Sequence, residues 1–376
     1  CEYAPRAITL EIAVYGQNFE QEVLKDFIYS PSTGREIGRG DSYTEAMLRS
    51  TGEFGKPVAL SMSKGLNFLK VPFEIPDMRP WDLHEPWLYQ IQVKTIDSEG
   101  NVLDTLQQQF GMRSFRMDTE SDPKGMFSLN GKPVRLRGAN TMGHEQQCVA
   151  KKNWDQLRDD ILLAKICHMN FLRITQRPVQ PEVYELCDKW GLMPQSDLPL
   201  FGVLRRNQFC EAVRQTEEME RLVRSHPCNI LVSYINEPFP NANNKPHRHL
   251  TRDELLEFFK AADIAIHLQN PDRVIKPVDG DYDPPAPGLP DNHCYTAWYN
   301  GSGIDLGKLH KGYWQPVKPD WMYGCGEFGA EGLDPVSVMR KYYPEDWLPQ
   351  NAEGEKTWSP NSIIGAQTGK FHYFFF

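Results

Sequence analysis

The apolar positions divide the chain into two rhythms. Up to about residue 117 they fall in short runs that alternate with polar residues. In ITLEIAVYG (8–16), Ile8, Leu10, Ile12 and Val14 share one side of an extended chain, as in a half-buried strand. VALSMS (58–63), LNFLKVPFEI (66–75) and LYQIQVKTID (88–97) behave similarly, and NVLDTLQQQFGMRSFRM (101–117) follows the turn signal DSEGN. Short strands with turns between them predict an antiparallel sandwich. NFEQEVLKDFIY (18–29) does not fit and reads as weakly helical.

From about residue 126, strand-like apolar runs alternate with amphipathic helices. VRLRGAN (134–140) precedes the helix NWDQLRDDILLAKICH, and NFLRIT (170–175) precedes PEVYELCDKWG, which a glycine closes. GLMPQSDLPL leads into EAVRQTEEMERLVRSHP, and NILVSYINEP (229–238) into TRDELLEFFKAADIAIHLQN. VIKPVDG, NHCYTAWYN and WMYGCGEFG bring the strand candidates to seven. This alternation predicts a parallel sheet with helices outside it, and seven units in one run favour a closed barrel over an open sheet. No G-x-G-x-x-G loop supports a dinucleotide-binding alternative. After WMYGCGEFG the chain reads as helix and loop, so strand eight is missing and truncation is expected; the apolar end FHYFFF is expected to be buried.

Composition narrows the classes. With 40% hydrophobic and 24% charged residues the chain is globular. Its net charge of -9 argues against nucleic acid or an anionic membrane surface as partner, and no apolar run is long enough to span a bilayer. The eight cysteines include no C-x-x-C pair, so a metal site is not expected and buried free thiols are, Cys167, Cys187, Cys228 and Cys294 among them. No signal peptide is visible, and the compartment cannot be read.

Barrel enzymes place their chemistry at the C-terminal ends of the strands. NILVSYINEP ends in Asn236-Glu237 and WMYGCGEFG in Glu327, on strands four and seven. Two carboxylates facing each other across a barrel mouth suit glycoside cleavage: one protonates the leaving oxygen while the other attacks the anomeric carbon. His293, Tyr295, Arg173 and His144 lie at or near other strand ends, and Trp298 is a candidate sugar platform. Arg173 and Tyr295 are expected to favour ionised Glu327, whose charge in turn keeps Glu237 protonated.

These segments together resemble glycoside hydrolase family 2. WDLHEPWLYQIQV and FGMRSFRM are similar to the end of that family's immunoglobulin-like sandwich, and FSLNGKPVRLRGAN to the approach to its barrel. RSHPCNILVSYINEP resembles the acid/base strand and YGCGEFGAEG the nucleophile strand. The resemblance implies a retaining exo-β-glycosidase with Glu237 as acid/base and Glu327 as nucleophile. It also implies that Asn236 binds the sugar 2-hydroxyl, that Tyr295 hydrogen-bonds the nucleophile and that Arg173 supports it; His293, His144 and Trp298 complete the expected substrate contacts. The expected architecture is a multidomain chain, with an all-β immunoglobulin-like sandwich over 1–117 and an α/β (β/α)8 TIM barrel over 118–376 that stops before strand eight. The family's usual N-terminal sugar-binding domain is not seen ahead of the sandwich, so truncation at the N-terminus is expected as well.

Departures from the family pattern bear on substrate and metal. β-Galactosidases carry N-R-H-E-H-H-P after strand one, where this chain has NTMGHEQQC. Their S-H-Y-P becomes Thr175-Gln176-Arg177-Pro178, and an Asp-Glu becomes Ser196-Asp197. These changes count against a magnesium site, and no cofactor is expected. A β-galactoside is the first expectation for the glycone, with β-glucuronide and β-mannoside as alternatives. An endo-acting glucanase and a non-catalytic carbohydrate-binding barrel are the competing readings. The expected partner is an oligosaccharide or glycoside, and a homo-oligomer is compatible with the sequence.

Overall fold

The computed structural model describes residues 6–20, 22–28, 45–47, 59–62, 68–70, 75, 77–238, 248–280, 287–294, 318–328 and 334–358. The N-terminal strands are β1 (Arg6–Gly16), β2 (Glu22–Ile28), β3 (Glu45–Met47), β4 (Ala59–Met62), β5 (Phe68–Lys70), β6 (Tyr89–Ile96) and β7 (Val102–Phe110). Antiparallel pairing gives the order β2-β1-β6-β7, with β4 also on β1. The alternation in β1 does what its period implies, since Leu10, Ile12 and Val14 are buried while Thr9, Glu11 and Ala13 are less so.

The segment read as weakly helical is strand β2, with Glu11 opposite Ile28 and Val14 opposite Leu24. Its apolar residues recur at a spacing a helix would use, but the edge of β1 offers backbone partners, with irregularities on either side of Val14, and tertiary pairing overrides the local preference.

Strands β8 (Phe115–Met117), β9 (Phe127–Leu129) and β10 (Lys132–Val134) form a small antiparallel sheet that leads into the α/β part. There a parallel sheet runs β11 (Gly138–Thr141), β12 (Phe171–Ile174), β13 (Met193–Asp197), β14 (Leu231–Ser233), then β16 (Val274–Ile275). Strands β15 (Ile235–Asn236) and β17 (Val278–Asp279) continue β14 and β16 beyond a break and pair with each other. The break has a local cause. Pro277 has no N–H to continue the ladder, and its carbonyl instead accepts from both Tyr234 N and Ile235 N. Strands β18 (Asp291–Cys294) and β19 (Gly324–Phe328) form the last parallel pair. All seven expected βα strands are therefore present, in partial parallel sheets. A hydrogen bond from Asn140 Nδ2 to Gly326 O, 3.2 Å, links the end of the first strand to the last.

The helices are α1 (His144–Ala150), α2 (Trp154–Ile166), α3 (Pro181–Trp190), α4 (Phe209–Val223), α5 (Arg252–Gln269), α6 (Val336–Tyr342) and α7 (Ala352–Thr357). Their ends follow sequence signals. Pro181 opens α3, and Gly191 closes it at φ 68°, where a side chain would meet Leu83 O. Thr251 and Glu254 form a capping box at α5. One continuous core runs from Trp81, Leu88 and Phe115 through the parallel sheet to Phe258 and Ile266, each such side chain contributing about 1.5–3 kcal/mol on burial.

The two parts are joined by polar contacts as well. Buried Asp188 accepts from Gln109 Nε2 (3.0 Å) and Cys228 N (3.0 Å) and pairs with His226 Nδ1 (2.7 Å), while its backbone carbonyl accepts from Trp81 Nε1. Of the cysteines expected to be buried, Cys187 and Cys228 are, whereas Cys167 follows the last turn of α2 and is exposed. The side chain of Cys294 and the segment FHYFFF lie outside the described residues. Among the described residues no helix is long and apolar enough to cross a membrane.

Candidate active site

The C-terminal ends of six strands converge on one cluster. Arg173 comes from β12, Asp197 from β13, Asn236 and Glu237 from the end of β15, Asp279 from β17, His293 from β18 and Glu327 from β19. Arg173 is buried and its guanidinium divides its donors among four partners. Nε and Nη2 reach Asp197 Oδ2 at 2.9 and 2.8 Å, Nη2 also reaches Asn236 Oδ1 at 2.7 Å, and Nη1 reaches both Asp279 Oδ1 and Glu327 Oε1 at 2.7 Å. A planar fork fixed on three sides orients the carboxylate on the fourth.

His293 is the second hub. Its Nδ1 lies 2.6 Å from Glu237 Oε1 and 3.6 Å from Glu327 Oε2, and its Nε2 lies 3.0 Å from Asp279 Oδ1. One oxygen from each of Glu237 and Glu327, together with a ring nitrogen of His293, lie within 4.8 Å of one another. Gly280, at φ 78°, leaves the space the imidazole occupies, since a Cβ there would stand 2.6 Å from His293 Cε1. Gly326 does the same for Asp279, whose Oδ1 would be 2.1 Å from an added Cβ.

Glu237 itself sits at φ 48°, in the left-handed region that non-glycine residues rarely adopt. Its N–H donates to Asp279 O at 2.8 Å, which holds this turn, and the following Pro238 disfavours a right-handed helical alternative. Strain of this kind costs about 1–3 kcal/mol and concentrates at functional sites.

Around these groups Lys276 Nζ pairs with Asp279 and, at 2.8 Å, with Asp291 Oδ2. Gln195 Nε2 donates to Asp197 Oδ1 and Asp279 Oδ2. Asp291 Oδ1 accepts from Gly280 N and Gly326 N, fastening β18 to its neighbours. Among the described residues, the cations Arg173, Lys276 and His293 thus face the carboxyls of Asp197, Asp279, Asp291, Glu237 and Glu327.

Burial by itself would lower the His293 pKa. The hydrogen bonds to Asp279 and Glu237 and the charges of Asp279 and Glu327 outweigh it and bring the imidazole up to about 9. Burial would raise Asp279, but Lys276 and Arg173 hold it well below the usual carboxylate range. Glu327 departs from the expectation that its partners keep it readily ionised. Arg173 and His293 do pull in that direction, but burial dominates and its pKa lies above the ordinary value.

The His293 shift has a consequence for stability. A folded-state pKa above the ordinary 6.5 means that folding gains from protonated His293 fully below about pH 6.5, and that this gain is lost as pH rises through about 9. Unfolding titrations from pH 6 to pH 9.5 should therefore show the wild type losing stability relative to His293→Gln over that interval. A constant difference between the two would contradict the ionic environment described.

Of the residues singled out from the sequence, Glu237, Glu327, Asn236, Arg173 and His293 are brought together. His144 is not: its Nε2 faces Asp160 and Cys148. Tyr295 and Trp298 lie outside the described residues. Asp279, Asp291, Lys276 and Gln195 were not anticipated; a charged residue inside an apolar strand, as in VIKPVDG, is the sequence signal that marks such a network, because a buried charge must be paired.

Two family models match the chain: "Glycosyl hydrolases family 2, TIM barrel domain" over residues 123–269 and "Glycosyl hydrolases family 2" over residues 41–113. The chain belongs to glycosyl hydrolase family 2. Glu237 lies inside the barrel match, while His293 and Glu327 follow it. A putative beta-glucuronidase of Formosa agariphila is 27% identical over 329 residues, covering 79% of this chain and 37% of that protein. A beta-galactosidase of Alteromonas mediterranea is 31% identical over 174 residues, 44% of this chain and 16% of that protein. The chain thus spans well under half the length of either relative. Among solved structures, the beta-D-mannosidase from Dictyoglomus thermophilum superposes with TM-score 0.66 at 19% identity, covering 99% of this chain and 42% of that one. That likeness supports the sandwich-plus-barrel architecture of the family.

Proposed function

We propose that this chain carries the catalytic site of a retaining exo-β-glycosidase, with Glu237 as acid/base and Glu327 as nucleophile. The observation that carries the reading is the approach of the two carboxylates, which share His293 with one oxygen each inside 4.8 Å. Inverting enzymes keep their carboxyls about 6.5–9.5 Å apart to admit a water, whereas retaining enzymes hold them about 5–5.5 Å apart. Protonated Glu237 donates to the departing glycosidic oxygen as Glu327 bonds to the anomeric carbon. Glu237 then takes a proton from water, which attacks the same carbon and releases Glu327. Arg173 on one Glu327 oxygen steadies the carboxylate, and Asn236, held by the same guanidinium, is placed to meet the sugar 2-hydroxyl.

The galactoside reading rests on the motif resemblance. The extent of the match to a putative beta-glucuronidase, 79% of this chain against 44% for the beta-galactosidase, favours the glucuronide as a second reading.

Glu237→Ala separates the acid role from binding. Hydrolysis of an alkyl glycoside should fall by roughly 10²- to 10⁴-fold, while bond cleavage in a dinitrophenyl glycoside, which needs no proton, is little affected. Added azide should yield the β-glycosyl azide. Equal losses on both substrates with no azide product would remove Glu237 from the acid/base role.

A further inference from the structure

A second cluster of metal-ligating side chains lies outside the catalytic network. His144 and Cys148 are four residues apart on α1 and so share a face. Asp160, from α2, completes the group. His144 Nε2 is 2.5 Å from Asp160 Oδ2 and 3.7 Å from Cys148 Sγ, and the three donor atoms all lie within 4.8 Å of one another. We propose that His144, Cys148 and Asp160 bind a divalent transition metal ion of the zinc class, independently of the glycosidase reading.

Two features favour a metal over a nucleophilic thiol. A Cys–His–carboxylate relay uses both ring nitrogens, one toward the thiol and the other toward the acid. Here a single nitrogen faces both partners, so the donors converge on a point instead of forming a chain. The spacing also fits. Zinc bonds of about 2.0–2.1 Å to imidazole and 2.3 Å to thiolate at a tetrahedral angle put nitrogen and sulfur about 3.6 Å apart, close to the 3.7 Å seen. The 2.5 Å contact to Asp160 is a hydrogen bond that a bound ion would open, and this carboxylate is partly exposed, its other oxygen accepting from Gln156 Nε2 at 2.7 Å.

The charge balance points the same way. Asp160 and Glu145 place negative charge beside Cys148, with Lys151 opposing it only in part. Glu145 also has a buried Oε2 with no hydrogen-bond partner. A cation bound there would offset this negative charge, with Cys148 binding as the thiolate and releasing its proton. His144 is largely exposed, which leaves room for water as a fourth ligand. The absence of paired cysteines hides such a mixed set from sequence spacing. Bound metal would pin α1 to α2 just after β11, the strand that carries Asn140.

Cobalt(II), added to metal-free full-length protein, tests the site. It should give a thiolate-to-cobalt charge-transfer band that saturates at a single equivalent and is displaced by zinc. Cys148→Ser and His144→Ala should abolish the band, and Asp160→Asn should weaken binding roughly tenfold or more. The cluster Glu237, His293 and Glu327 has no thiol and cannot produce it. If Cys148→Ser does not fold, zinc should still slow alkylation of Cys148 in the wild type, read by peptide mapping. A band that persists in folded Cys148→Ser, or wild type with neither band nor protection, would overturn the proposal.

Discussion

Glu327→Ala should lower kcat by roughly 10⁴- to 10⁶-fold, because the step lost is formation of the covalent intermediate itself. The fold should be little affected. Glu327 is partly buried at the end of β19, and removing it relieves one of five carboxyls around three cations. Its partner Arg173 keeps Asp197, Asp279 and Asn236. Azide should enter the vacated space and give the α-glycosyl azide, the anomer opposite to that expected from Glu237→Ala. Activity assays with product analysis by NMR check both points. Residual activity within tenfold of wild type would assign the nucleophile elsewhere.

Arg173→Leu should produce the largest loss of stability. Its guanidinium is buried and neutralises Asp197 and Asp279 together with Glu327. Removing one partner of a buried ionic network leaves uncompensated charge, which costs about 3–5 kcal/mol. Asn236 would also lose the donor that orients it. Lysine is a poor substitute, since one ammonium cannot reproduce a fork that reaches four groups on four strands. Urea unfolding should show a much lower midpoint for Arg173→Leu and an intermediate one for Arg173→Lys. An unchanged midpoint for Arg173→Leu would mean that the network is not a structural unit.

The sequence made the strand–helix alternation and the two glutamates legible, for a physical reason. Apolar runs that end in Asn236-Glu237 and Glu327 combine a buried strand with a polar residue at its exit, and both signals are local. The Arg173–Asp279–His293 network is not local. Its members come from β12, β17 and β18, and the order and register of the strands decide that they meet. Asp197 stood in the sequence only as a departure from a family motif, yet it anchors the guanidinium. His144 illustrates the opposite error. It follows β11 closely enough to suggest the barrel mouth, but Gly143 at φ 88° starts α1 there and the helix directs the imidazole to α2. The ionisation of Glu327 depended on weighing burial against two cations, and burial cannot be read from a motif.

As nucleophile, Glu327 forms a covalent bond to the anomeric carbon of the sugar. Incubation with 2-deoxy-2-fluoro glycosyl fluorides of the galacto, glucurono, manno and gluco series, followed by intact mass and peptide mapping, tests it most directly, because the fluorine slows hydrolysis of the intermediate. One series should add a single glycosyl mass, located on Glu327, and thereby also name the glycone. A label on another residue, or none from any series in folded protein that turns over the matching glycoside, would remove Glu327 from the nucleophile role.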